Sequence, residues 1–210
     1  MSNQTNPDVS RRDLLRTIGT SVVLTTGGAG VLTPALAQHV HQALTEEKSL
    51  NGGSAYKPKY LTPHEFLTLR RLAELIMPAD EHSKGALDAG APEFIDFLCS
   101  RSSDLANIYT GGLAWIDRDM QRRYAKTFVD AKPAQQTALL DVIAFRKNDT
   151  PETGPGIQFF IWVRHMVVDA FYTSPVGIKD IGFMGNGAVS SFSVPEEAVQ
   201  YAMKRSPLGS

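Results

Sequence analysis

From Phe66 onward, apolar positions return every three or four residues, the period of one helix face, and no segment alternates with the period of two that a half-buried strand requires. The first stripe, Phe66, Leu69, Ala73 and Ile76, is widened by Leu72 and Leu75. It follows Thr62-Pro63-His64-Glu65, a capping box with proline at the first helical position, where a missing N–H costs nothing. Pro78 ends this helix, and residues 78–86 read as a polar loop. Pro92 opens a second helix with Phe94, Ile95 and Leu98 facing inward. A third is predicted to begin after Gly111-Gly112. Its apolar side is Leu113, Ile116, Met120, Tyr124 and Phe128, and Asp117, Arg118, Asp119, Arg122 and Arg123 face solvent. Pro133 starts a fourth, with Leu139, Leu140, Val142 and Ile143 inward. The fifth, over residues 157–172, is the most apolar, its broad face made of Phe160, Ile161, Arg164, Val167, Val168 and Phe171.

The flanks read differently. Residues 177–187 hold Gly177, Gly182, Gly185 and Gly187, which predicts a loop rather than a helix. Residues 38–59 are polar around Asn51-Gly52-Gly53-Ser54 and predict a flexible leader, with order beginning near Tyr60. The pattern therefore predicts an all-α domain over residues 60–210, a small bundle of about five helices with a long irregular C-terminal segment.

Residues 1–37 carry an address. Ser10-Arg11-Arg12-Asp13-Leu14-Leu15-Arg16 pairs two arginines with an apolar pair and a further base, the twin-arginine pattern. No charge occurs from Thr17 to Ala37, and Ala35-Leu36-Ala37 forms the small-x-small site that a signal peptidase reads, with the point of cleavage after Ala37 for a signal that is either cleaved or retained. A membrane anchor is the rival reading of the uncharged run. Gly19, Gly27, Gly28, Gly30 and Pro34 dilute its hydrophobicity too far for a spanning helix, so an export signal is expected, and with it a periplasmic protein handled by the twin-arginine translocase.

Composition narrows the function. The chain has 210 residues, room for one ordinary domain, and 21 basic against 22 acidic side chains, so no field draws in nucleic acid. Its single cysteine, Cys99, excludes an internal disulfide and covalent c-type haem attachment, and the apolar run around it predicts a buried thiol. Asp80, Glu81, His82 and Asp88 offer metal-ligand chemistry in one loop, but at spacings of no familiar cage. His165 and Asp169 stand four apart on the fifth helix, as an imidazole and its orienting carboxylate would, yet no nucleophile accompanies them. Gly111-Gly112 and Gly182 to Gly187 lack the strand, helix and lysine of a phosphate loop. Trp115 and Trp162 fall at helical spacing and read as core or subunit-contact residues. No catalytic, cofactor-binding or metal site is expected in this chain. The competing expectation is a self-sufficient periplasmic metal-binding protein or enzyme using the Asp80 loop or the His165 and Asp169 pair.

Several segments taken in order carry a resemblance. They are Leu75-Ile76-Met77-Pro78-Ala79-Asp80-Glu81 with Gly85-Ala86, then Phe94-Ile95-Asp96, Tyr109-Thr110-Gly111-Gly112-Leu113, Tyr172-Thr173-Ser174-Pro175-Val176-Gly177, and Asp180-Ile181-Gly182-Phe183-Met184-Gly185-Asn186. Over roughly Leu61 to Asn186 the chain resembles the gluconate 2-dehydrogenase subunit 3 family, the small subunits of membrane-bound flavin sugar and sugar-acid dehydrogenases. The resemblance implies a large flavoprotein partner of the glucose-methanol-choline type that carries FAD. It also implies, in many members, a multihaem cytochrome c subunit, a shared export signal lent to the signal-less partner, and a place at the outer face of the inner membrane through the complex. Pro78, Asp80, Gly85, Tyr172, Gly182 and Gly185 are the motif residues it marks as partner-contact candidates. Phe183 stands where the family pattern favours tyrosine.

Overall fold

Residues 34–50, 56–183 and 194–206 are described by a computed structural model, and every regular element among them is helical. The helices are α1 (Pro34–Leu50), α2 (Pro63–Ile76), α3 (Ala91–Cys99), α4 (Ser103–Tyr124), α5 (Pro133–Ile143), α6 (Gly154–Tyr172), α7 (Pro175–Asp180) and α8 (Glu196–Arg205), with a 3-10 turn at Arg146–Asn148.

The capping box at the start of α2 forms as expected. The Thr62 hydroxyl accepts from the Glu65 backbone N–H at 3.3 Å and the Glu65 carboxylate accepts from that of Thr62 at 2.8 Å. Behind it, Phe66, Leu69, Leu72 and Ala73 are buried. Helix α3 lies at the centre and packs against α1, α2, α4 and α6, with every residue but Glu93 buried. It starts from Gly90, whose φ of 71° suits glycine and strains a side chain.

One member of α3 is an acid. Asp96 has no exposed surface and accepts four hydrogen bonds: from the Tyr56 hydroxyl at 2.7 Å and from the backbone N–H groups of Lys59 at 2.6 Å, Tyr60 at 3.2 Å and Leu61 at 2.8 Å. Residues 56–61, on the approach to α2, are thus pinned to the middle of the core by a single carboxylate.

The glycine pair of α4 does not begin the helix. Ser102 caps α4 a full two turns earlier, its hydroxyl accepting from the Leu105 N–H at 3.3 Å, and Gly111-Gly112 lie in mid-helix. The physical reason is the crossing with α6. A Cβ on Gly112 would stand 2.0 Å from the Phe159 ring, and one on Gly156 would stand 2.2 Å from the Trp115 ring. Each helix gives up a side chain where the other's aromatic ring crosses, and the paired numbers run in opposite directions, so α4 and α6 are antiparallel. Asp119 also departs from expectation. It is buried rather than solvent-facing, and holds Arg122 and Arg123 against it.

Three further expectations change at the flanks. Residues 38–59 are not simply a leader, because α1 occupies 34–50 and buries Ala37 and Val40 in the main core. Residues 175–180 form α7 despite Gly177. The Ser174 hydroxyl caps it by accepting from the Gly177 N–H at 3.1 Å, and Pro175 supplies the first turn. The C-terminal segment is not wholly irregular, since α8 spans ten residues, none of them buried. The all-helical class stands, with more and shorter helices than the pattern predicts.

Candidate functional site

The first and the last motif segments form two corners, and residues beside each of them line one groove. The first links α2 to α3. Asp80 accepts from the N–H groups of His82 and Ser83, both at 2.7 Å, which closes an Asx turn, and the Ala86 N–H bonds the Met77 carbonyl at 2.9 Å. Gly85 sits inside this corner, where a Cβ would meet the Ala79 nitrogen at 2.6 Å and the Met77 carbonyl oxygen at 2.9 Å. Pro78 caps the loop on the outside and is exposed. The two backbone bonds hold the Asp80 carboxyl below the usual carboxylate range.

The second corner is the α6–α7 bend. Tyr172 is partly exposed and meets Phe171 edge-on, with ring centroids 5.0 Å apart. Gly177 lies against the Phe171 carbonyl, 2.2 Å from where its Cβ would be. Gly182, at φ 63°, ends the turn and leaves Ile181 and Phe183 exposed. Gly185 lies outside the described residues, as do Arg11, Arg12, Leu14 and Leu15. Ala35 and Ala37 are within α1, Ala37 with no exposed surface.

Between the corners runs a groove of about 790 Å³. Its walls are Leu87 to Gly90 and Glu93 on one side and Ser174 to Val176 on the other, and α1 forms the roof through His41, Leu44 and Lys48. Inside, Arg70 bonds Glu93 at 2.9 Å through one carboxylate oxygen, while the second oxygen is buried without a hydrogen-bond partner. Burial pushes the Glu93 carboxyl up, against the opposing pull of Arg70. Tyr56, lining the same groove, is raised by its burial first and then by Asp96. His41 anchors the roof. Its Nε2 is 3.1 Å from the Thr173 hydroxyl and its ring lies 4.9 Å from that of Phe94. No sequence pattern marks this set, because His41, Arg70, Glu93 and Thr173 come from four separate elements.

The chemical candidates are dispersed. Asp80 and Asp88 spend carboxylate oxygens on loop N–H groups, Asp88 accepting from Gly85 at 3.0 Å, while Glu81 and His82 are exposed. Among the described residues no group of three or more His, Cys, Asp or Glu is placed to hold a metal ion. His165 is exposed and Asp169 half-buried, its carboxyl raised by burial and drawn back by His165, with no hydrogen bond joining the two. Cys99 is buried, and burial pushes its thiol up, away from the reactive thiolate. Trp115 packs on Gly156 and belongs to the helix crossing. No helix among the described residues is long and apolar enough to cross a membrane.

The two corners, the buried α3 and the glycine-bearing α4 all fall within the stretch that a family model matches. That model is described as gluconate 2-dehydrogenase subunit 3 and covers residues 63–190, about three-fifths of the chain. No curated protein and no solved structure matches the chain. Helix α1 lies outside the matched stretch, as do Arg11 and Arg12. On the strength of the match, the chain belongs to the gluconate 2-dehydrogenase subunit 3 family.

Proposed function

We propose that this chain is the non-catalytic small subunit of a periplasmic, flavin-dependent sugar or sugar-acid dehydrogenase of the glucose-methanol-choline type. It escorts the signal-less catalytic subunit through twin-arginine export and supports its maturation and stability. FAD belongs to that large subunit, and haem c to a cytochrome subunit where one is present. The family match carries the reading, since it makes the chain a subunit of a dehydrogenase assembly. Two further observations support it. The N-terminal residues match the twin-arginine pattern of signals that move folded cargo, and Asp80, Asp88 and Asp119 are engaged in loop closure and helix packing. The two motif corners, with exposed Tyr172, Ile181 and Phe183, offer the large subunit a contact surface.

The test replaces Arg11 and Arg12 by lysine in a strain expressing the whole complex, and measures dehydrogenase activity and large-subunit protein in periplasm and cytoplasm. Both should fall in the periplasm at least tenfold and accumulate inside. A large subunit that still reaches the periplasm in wild-type amount refutes the escort role.

A further inference from the structure

The small-x-small triplet at the end of the export signal does not hang free of the folded body. Helix α1 begins at Pro34 and runs to Leu50, so Ala35, Leu36, Ala37 and the Ala37–Gln38 bond all lie within it. Ala37, the residue whose carbonyl would be attacked, has no exposed surface, and Val40 three residues on has none either. At the next position, His41 is bound to Thr173 at 3.1 Å and rests against Phe94 at 4.9 Å between ring centroids. Farther along, Glu47 pairs with Lys59, fixing the end of the helix to the connection held by Asp96.

A protease reads its substrate as an extended strand, through main-chain hydrogen bonds and pockets for alternate side chains. A helix has already spent those main-chain groups internally, and a residue with no exposed surface cannot enter a pocket. Cleavage after Ala37 therefore requires the first turns of α1 to unwind and leave α3. Such local opening precedes proteolysis of folded chains in general, and its free energy sets the rate when reclosing is fast.

We infer that the fold itself closes the signal-processing site: α1, docked through Ala37, Val40 and His41, acts as a latch, and the exported chain keeps residues 1–37. This rests on the export reading, under which the chain is folded before it meets a signal peptidase. The unfolded chain presents the same triplet in the open.

The experiment isolates the complex from the periplasm and determines the intact mass and N-terminal sequence of this chain. The latch predicts the uncut chain as the main species. It also predicts that Thr173→Val, which removes the hydrogen bond between His41 and Thr173 and leaves the core in place, raises the fraction starting at Gln38 about tenfold. Val40→Asp, which puts a carboxylate into the α1–α3 contact, should raise it further, and Thr173→Val decides the matter alone if Val40→Asp does not accumulate. A wild-type periplasmic chain that starts at Gln38 overturns the latch and leaves the export reading standing. Thr173→Val and Val40→Asp chains as uncut as wild type overturn the latch too, because retention then owes nothing to docking, and where Val40→Asp does not accumulate an uncut Thr173→Val chain removes the His41 anchor on which the latch is argued. Wild-type chain and partner both confined to the cytoplasm would overturn the export reading and the latch with it.

Discussion

Replacing Asp96 by alanine tests the largest single polar commitment in the fold. The carboxylate is wholly buried and accepts from Tyr56, Lys59, Tyr60 and Leu61. A hydrogen bond to a charged acceptor is worth about 1.5–3 kcal/mol net, and a buried donor left unpaired costs about 1–3 kcal/mol. Lys59 and Tyr60 are exposed residues whose N–H groups regain water when the connection loosens, and Tyr56 is half-buried, so these three losses fall at the low end. Leu61 is buried, and its N–H has no water to turn to. With the first three at about 1 kcal/mol each and Leu61 at about 1–3 kcal/mol, the losses amount to about 4–6 kcal/mol, a large share of the stability of an ordinary domain. For a chain of this size each kcal/mol moves the melting midpoint by about 2–4 °C, so Asp96→Ala should melt about 8–24 °C below wild type. Asp96→Asn keeps one acceptor oxygen and turns an NH₂ toward donors, so it should fall between the two. Urea titration and thermal melts followed by far-ultraviolet circular dichroism read both numbers. An Asp96→Ala chain within about 1 kcal/mol of wild type would refute the account, because it would mean the connection is held by something other than this carboxylate.

Gly112→Ala places a Cβ 2.0 Å from the Phe159 ring and should cost about 1–3 kcal/mol by overpacking, whereas Gly111→Ala, with open space around it, should be neutral or stabilising by a few tenths of a kcal/mol; urea midpoints of the two variants give the comparison, and equal effects would contradict the crossing described above. Burial holds the His41 imidazole below its ordinary value of 6.5, with the Ala170 backbone bond opposing. The folded chain then resists a proton that the unfolded chain takes up. The stability His41 contributes is therefore present above that value and lost as pH falls from 6.5 through the folded pKa. Unfolding midpoints measured at pH 7.5 and pH 5.5 should drop more for wild type than for His41→Gln, and parallel curves would remove His41 as the cause.

Much of the body was legible because local and long-range signals agree there. Thr62 and Glu65 announce a helix start by chemistry that needs no tertiary partner, and the stripe of Phe66, Leu69, Leu72 and Ala73 reports the buried face directly. The failures share a cause, which is that the deciding partner lies far away in the chain. Gly111-Gly112 looks like a helix boundary until Phe159 explains it. Asp119 reads as solvent-facing by its charge, although Arg122 and Arg123 neutralise it in place. Helix α1 was hidden because polar composition suggests a leader, while its docking depends on Phe94 and Thr173. Groove residues such as Arg70 and Glu93 form no motif at all, so only the folded geometry reveals them. The family resemblance, by contrast, was readable from short ordered segments, and the matched stretch, residues 63–190, agrees closely with the span those segments cover.

The carboxylate of Asp96 also divides the molecule mechanically. A pull applied at the N-terminus would peel α1 from the body one contact after another, but the peeling front would meet four bonds converging on one rigid atom group between Tyr56 and Leu61. Unravelling should halt at that firebreak with α2 to α7 keeping their shape, and under the proposed escort role this would let a pull on the chain's leading end spare the face offered to the large subunit.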